Sequence, residues 1–178
     1  MKKLLLLSGP FHVGKTTVAN ELCNRLGFTK VSSGDYLRGI AKMRGMTNER
    51  IQLQKIGDQL DIETDYKWIV SEVSAKEIER QTKVEFWLFD SVRKHRQVEH
   101  FRAAYNDFVC HVHLTCPEAT LRKRYSEGEI GGNSYDDAIL HPNEVEARSL
   151  QTIADLVIDT SDRAGSDIAN LILQNWRA

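Results

Sequence analysis

The chain has 178 residues, 28% of them charged and 41% hydrophobic, and its formal net charge is −1. That length builds one α/β domain with a full hydrophobic core and is too short for two large ones. The near-neutral balance argues against a nucleic-acid groove or a patch for anionic membranes, so local positive charge must come from individually placed basic residues.

The first element is the apolar run Leu4 to Leu7, which follows two lysines in the manner of a signal peptide. It is too short for one and leads straight into a glycine-rich loop, so it reads as a buried parallel strand of a cytoplasmic protein. The loop is Gly9-Pro10-Phe11-His12-Val13-Gly14-Lys15-Thr16-Thr17. Gly9 and Gly14 let the backbone curl until consecutive N–H groups face one anion, and the helix that follows turns its positive dipole end to the same place. Lys15 then reaches the β and γ phosphates and Thr16 offers a hydroxyl to Mg²⁺. Val18, Leu22 and Leu26 recur at helical spacing, and Gly27 stops the helix. Strand, loop and helix together confine the expected chemistry to nucleoside triphosphates, with ATP and Mg²⁺ as cofactors.

Further strands are predicted at Thr29 to Ser32, Val84 to Asp90, Phe108 to Thr115 and Leu156 to Asp159, separated by helical pattern. Such alternation predicts a parallel sheet with helices on both faces. The long segment Gly34 to Lys83 has Tyr66, Ile69, Val70 and Val73 at helical spacing and no convincing strand. It reads as a helical insertion at the strand ends, where open α/β sheets bind ligands. Val84 to Phe89 is an apolar strand that ends in Asp90, placed to support Mg²⁺ through water. Cys110-His111-Val112-His113-Leu114-Thr115-Cys116 collects metal-ligand types, but along a strand His111 and His113 share one face and Cys110 takes the other. A core strand is the better reading, and the three cysteines at 23, 110 and 116 form neither a disulfide framework nor a zinc site. Glu127 to Ser134, with Gly128, Gly131 and Gly132, is a candidate lid. Ile168, Leu171, Ile172 and Trp176 close the fold as an amphipathic helix.

These motifs resemble the nucleoside monophosphate kinases, of which adenylate kinase is the best-known member. The resemblance runs over the loop, Ser32-Ser33-Gly34-Asp35-Tyr36-Leu37-Arg38, Asp90-Ser91-Val92-Arg93, Pro117 to Arg124, and Glu144 to Arg148. It implies a three-layer α/β/α fold with a five-stranded parallel sheet, a single domain over 1–178, an acceptor-binding insertion at 34–83 and a short lid at 125–143. It implies that Arg38 and Arg93 grip the acceptor phosphate, that Gln97 reads its base, and that Ser33 and Gly34 line the same pocket. Arg124 matches the arginine lying over the adenine of ATP, and Arg148 the lid-side arginine on the transferring phosphates. Arg122 and Arg96 stand as alternatives to Arg124 and Arg93. Asp35 either touches the acceptor or caps the helix beginning there, and capping is preferred. Arginine forks suit the task because donor and acceptor phosphates are both anionic and must be aligned.

The sequence also departs from that family. His12 replaces a central loop glycine, the loop continues Lys-Thr-Thr, and Asp90 and Arg93 lie one residue closer with no proline between them. The expected activity is transfer of the ATP γ phosphate to a nucleoside or deoxynucleoside monophosphate by a monomer or small homo-oligomer. Two alternatives stay open: a kinase of another small molecule such as dephospho-coenzyme A, and a non-catalytic ATP-binding switch or assembly module.

Overall fold

The computed structural model describes residues 2–128 and 134–176. The heart of the predicted lid lies in 129–133, outside the described residues.

Five strands form one parallel sheet in the order β2-β3-β1-β4-β5: β1 Lys3–Ser8, β2 Thr29–Val31, β3 Phe86–Phe89, β4 Val109–Thr115 and β5 Leu156–Asp159. All five fall within or beside the segments predicted from the pattern. β1 is central because its four leucines serve both layers. Leu5 and Leu7 pack with Val18, Ala19 and Leu22 of α1 (Lys15–Leu26) and with Ile168, Ala169 and Ile172 of α9 (Gly165–Trp176). Leu4 and Leu6 face the other way, onto Trp87, Phe89 and the Val98 and Phe101 of α5 (His95–Tyr105). Each such leucine contributes about 1.5–3 kcal/mol through removal of its side chain from water. The result is the expected three-layer α/β/α arrangement.

Chain reversal at α1 follows the sequence signals. Gly14 (φ 101) precedes the helix and Gly27 (φ 74) ends it, both left-handed. Gly9 is required for a second reason: at φ 142, a Cβ there would come within 2.5 Å of the Leu114 carbonyl oxygen of β4. The loop is thereby packed directly onto the neighbouring strand.

The insertion is helical throughout its ordered parts: α2 (Ser33–Met43), α3 (Arg50–Thr64), a π-helical stretch at Ile69–Ser74, and α4 (Ala75–Arg80). After β4 come α6 (Glu118–Gly128), α7 (Tyr135–Ile139) and α8 (Pro142–Ser149). Among the described residues no helix is long and apolar enough to cross a membrane.

The histidine-rich strand belongs to the core. His111 and His113 are buried on the α5 side of β4, and Ser8 at the end of β1 bridges them, 2.7 Å from His111 Nε2 and 2.9 Å from His113 Nδ1. A hydroxyl donates one proton, so one imidazole accepts and the other donates. Burial pushes both pKa values down to about 4. Their unfolded-state value is about 6.5, so the neutral pair stabilises the fold fully above pH 6.5 and loses that contribution as pH falls towards 4. The loss is on the order of 3 kcal/mol per imidazole. Urea melts between pH 7 and pH 4 should show this acid-side loss, and the His111→Asn/His113→Asn double variant should show a flatter profile from a lower starting stability.

Candidate active site

The loop lies at the carboxyl end of the central strand, where the connections turn towards opposite edges of the sheet, the usual ligand crevice of an open α/β sheet. A cleft of about 770 Å³ opens there. One wall is the loop, with Gly9, Phe11, His12 and Lys15; a second comes from Lys30, Asp90, Arg93 and Lys94 at the ends of β2 and β3. A third comes from α2 and α3 of the insertion, and α7 and α8 cover the mouth. A second, more open depression of about 750 Å³ runs along α9 and is lined by Asp159, Asp162 and Asp167; its carboxylates repel phosphate and it shares no lining residue with the loop.

Lys15 is expected from the sequence to face solvent. Instead it is half-buried, and its ammonium donates to the Gly9 and Pro10 carbonyls at 2.6 and 2.7 Å. Burial lowers its pKa to about 8, with Glu144 and Asp90 opposing the shift and Arg93 reinforcing it. The glycine-free centre of the loop has a structural answer as well. His12 takes a left-handed backbone (φ 58), a conformation that costs a non-glycine residue roughly 1–2 kcal/mol. Its ring compensates by packing edge-on to Phe11 (5.6 Å) and Tyr125 (5.2 Å), and Phe11 in turn meets Tyr125 and Tyr135. That aromatic cluster ties the loop to α6 and α7.

The predicted residues divide into those gathered at the cleft and those set apart. Ser33, Gly34, Asp90, Arg93 and Gln97 line the cleft with Gly9, His12 and Lys15. Ser33 bonds Ser91 at 3.0 Å, which fastens α2 to the end of β3. Arg96 is turned outward to Asp65 and Glu99, so Arg93 is the arginine of that pair at the site. Arg122 is taken by Asp136, while Arg124 reaches the His12 and Val13 carbonyls and Thr160 beyond β5, so Arg124 borders the loop. Arg38 pairs with Asp35 at 2.5 Å and is half-exposed at the rim, lying over Gly34. Asp35 does not cap α2: the Ser32 hydroxyl does, accepting from the Asp35 N–H, and the Asp35 carboxylate is held by Arg38. Thr17 faces α9, where a Cβ on Gly165 would come within 2.8 Å of its methyl carbon, while Thr16 is exposed at the start of α1. Gln97 is buried, and its amide oxygen accepts from the Arg93 N–H at 3.0 Å.

Glu144, Gln54, His141 and Lys30, to which the sequence reading gave no role although the segment 144–148 carried part of the resemblance, complete the site. Glu144 of α8 reaches the loop, its carboxylate oxygens each 3.2 Å from the Phe11 N–H, and its Oε1 also accepts from Arg148 Nε at 3.0 Å. An internal carboxylate thus stands at the anion-binding N–H groups of the loop. Arg148 is bound to Glu144, to Glu118 and to the Tyr135 hydroxyl. Gln54 of α3 and His141 at the start of α8 meet at 2.9 Å across the mouth. Lys30 pairs with Asp90 at 2.5 Å. A signal for Glu144 existed in its helical spacing to Arg148, but its partner Phe11 is 133 residues away.

The site suits Mg²⁺ held mostly by phosphate and water. An exposed Thr16 hydroxyl starts the helix, the Asp90 carboxylate is near enough to Lys15 to act on its charge, and no cluster of three metal-ligating side chains exists among the described residues.

Two outcomes follow from this geometry. Phosphate favours the charged form of Lys15, so ATP affinity should be full below pH 8 and fall as pH rises through about 8, read by calorimetry at fixed Mg²⁺. Glu144→Gln removes the charge that competes with phosphate, and should tighten ATP binding severalfold in the same titration.

Residues 5–140 match a family model described as an AAA domain. The cytidylate kinase of Methanocella arvoryzae is 25% identical over 90% of this chain and 99% of its own length. That of Haloarcula marismortui is 40% identical, but over 36% of this chain and 34% of its own length, so this match spans about a third of that relative. A gluconokinase from Sinorhizobium meliloti superposes with a TM-score of 0.60 at 16% identity, covering 98% of this chain and 91% of the other, which shows the shared fold. The chain belongs to the AAA-domain family and is built as a P-loop kinase.

Proposed function

We propose that the protein transfers the γ phosphate of ATP to a nucleoside monophosphate, with Mg²⁺ as cofactor. One observation carries the reading: the cleft that begins at the phosphate loop continues past Lys30, Arg93 and Lys94 to α2 and α3 of the insertion, which leaves room for a second ligand beside the nucleotide. A nucleotide switch or assembly module has no need of that added room with basic side chains at its edge, whereas a kinase of a phosphorylated acceptor does, with Lys30 and Lys94 exchanging Asp90 and Glu146 for the acceptor phosphate. The two cytidylate kinases in the comparison support the monophosphate class. The three cysteines are free thiols, in keeping with work in the reducing cytoplasm.

The residues divide the labour. The loop N–H groups and Lys15 take the donor phosphates, and Arg124, beside the loop and Thr160, borders the nucleotide. When bound, Mg²⁺ neutralises charge on the transferring phosphoryl group, and Thr16 and Asp90 would hold it, Asp90 through water. Arg93 and, at the rim, Arg38 receive the acceptor phosphate, with Ser33 and Gly34 at the start of α2 beside them. Gln97 lies at the base end. Arg148 is poised on α8 to exchange its carboxylate partners for phosphate. No covalent intermediate is needed; positioning and charge neutralisation carry the reaction, and the cover over the mouth keeps water from the donor phosphate.

A coupled ADP-release assay over nucleoside monophosphates, dephospho-coenzyme A and gluconate tests the reading. Transfer to a monophosphate is expected; transfer to either of the other two alone, or to none, would refute it. Lys15→Ala should abolish turnover with an unchanged circular dichroism spectrum. Arg93→Ala should weaken acceptor use by roughly tenfold to a hundredfold, the loss of a charge-assisted hydrogen bond, and leave the ATP constant near wild type.

A further inference from the structure

The far end of the acceptor pocket contains a feature that phosphoryl transfer does not require. Gln54, Gly57, Asp58 and Asp61 lie at helical spacing on the face of α3 that lines the cleft. Gly57 stands opposite Leu37, whose Cδ1 a Cβ there would meet at an ordinary contact distance of 3.7 Å. Asp61 is only 8% exposed. The Trp68 indole N–H donates to its Oδ1 at 2.7 Å, and the Gln97 amide lies near enough to favour its charged form. Because the Gln97 oxygen is committed to the Arg93 N–H, its NH₂ group must be the end turned to Asp61.

Two neutral donors are thin compensation for a buried carboxylate, and apolar residues of similar volume would stabilise the core more. Lys94 acts on Asp61 through space but its ammonium is bonded to Glu146 at 2.7 Å. Burial accordingly raises the Asp61 pKa, with the Trp68 hydrogen bond and the Gln97 amide opposing the rise. A carboxylate with spare acceptor capacity at the edge of a ligand cavity fits a donor on the ligand.

Resting on the monophosphate reading above, we propose that Asp61, oriented by Trp68 and Gln97, reads the exocyclic amine of the acceptor base and selects cytosine or adenine over uracil or guanine. The carboxylate accepts an amine N–H. The second N–H of the Gln97 amide donates to the unprotonated ring nitrogen beside that amine. Uracil and guanine reverse both positions, setting a carbonyl oxygen against the carboxylate and a ring N–H against the amide N–H.

The test compares kcat/KM for CMP, UMP, AMP, GMP and the 2-pyrimidinone ribonucleoside 5′-monophosphate, in which hydrogen replaces the amine of CMP. For the wild type, deleting the amine should cost roughly tenfold to a hundredfold. Asp61→Asn should lower the CMP-to-UMP ratio at least about tenfold and make the amine deletion nearly neutral. Loss of the Trp68 bond alone would weaken all acceptors alike, so the ratio separates reading from scaffolding. If Asp61→Asn does not fold, the wild-type comparison of CMP with its amine-free analogue decides alone. Equal use of CMP and UMP, or indifference to the amine, overturns the role of Asp61 and leaves the kinase reading intact. Activity on none of the five monophosphates refutes that reading, and the role of Asp61 with it.

Discussion

The gathering of the Lys15 ammonium and the loop backbone N–H groups at the end of β1 is the constraint on which the rest of the structure depends. A turn built to hold phosphate holds positive potential when no phosphate is present, and the fold must satisfy it. Three internal groups do so. The Gly9 and Pro10 carbonyls take the Lys15 ammonium, and the Glu144 carboxylate takes the Phe11 N–H. The loop is thus kept in shape by contacts that a phosphate would replace, at little cost in rearrangement.

That arrangement reaches outward through α8. Glu144 holds Arg148, Arg148 holds Glu118 and Tyr135, and Tyr135 packs on Phe11 of the loop. The circuit closes on itself around the mouth of the cleft. His12 contributes from within the loop, its strained backbone offset by ring contacts with the same cluster. Replacing Glu144 at the loop would release one of the three anchors of Arg148 and leave it on Glu118 and Tyr135. Electrostatics and covering of the site are therefore coupled through one helix turn.

On the other side of the cleft the logic is different. The ends of β2 and β3 supply Lys30, Arg93 and Lys94 close to the loop, and the insertion lines the cleft with both apolar side chains, such as Leu37, Leu53 and Ile69, and polar ones, such as Gln54 and Asp61. The acceptor proposed above, with a phosphate at one end and a flat, edge-polar base at the other, matches that distribution of side chains. Trp68, just before the π-helical stretch, and Ile69, its first residue, line the cleft, while Tyr36 stacks on Trp68 from α2 at 5.8 Å. The two halves of the insertion are joined through that pair.

The sequence by itself determined the sheet, the phosphate loop and the existence of a helical insertion, because each rests on local physics. Four consecutive leucines need two buried faces, Gly9 and Gly14 permit backbone angles that other residues resist, and apolar spacing marks a helix within a few turns. It also named Arg93 and Arg124 beside the alternatives Arg96 and Arg122, but left the choice open, since an exposed arginine has the same local pattern whether it meets an aspartate or a ligand. Tertiary structure set the two members of each pair apart, with Asp65 and Asp136 against Arg96 and Arg122, Arg93 in the cleft and Arg124 beside the loop. It moved the cap of α2 from Asp35 to Ser32, because a cap depends on which side chain can bend back to a free N–H. It also brought Glu144 to Phe11 across 133 residues and Asp61 beside Gln97 across two elements. Long-range approach leaves no period in the chain, so the charges that tune this site became visible only once the sheet had brought their helices together.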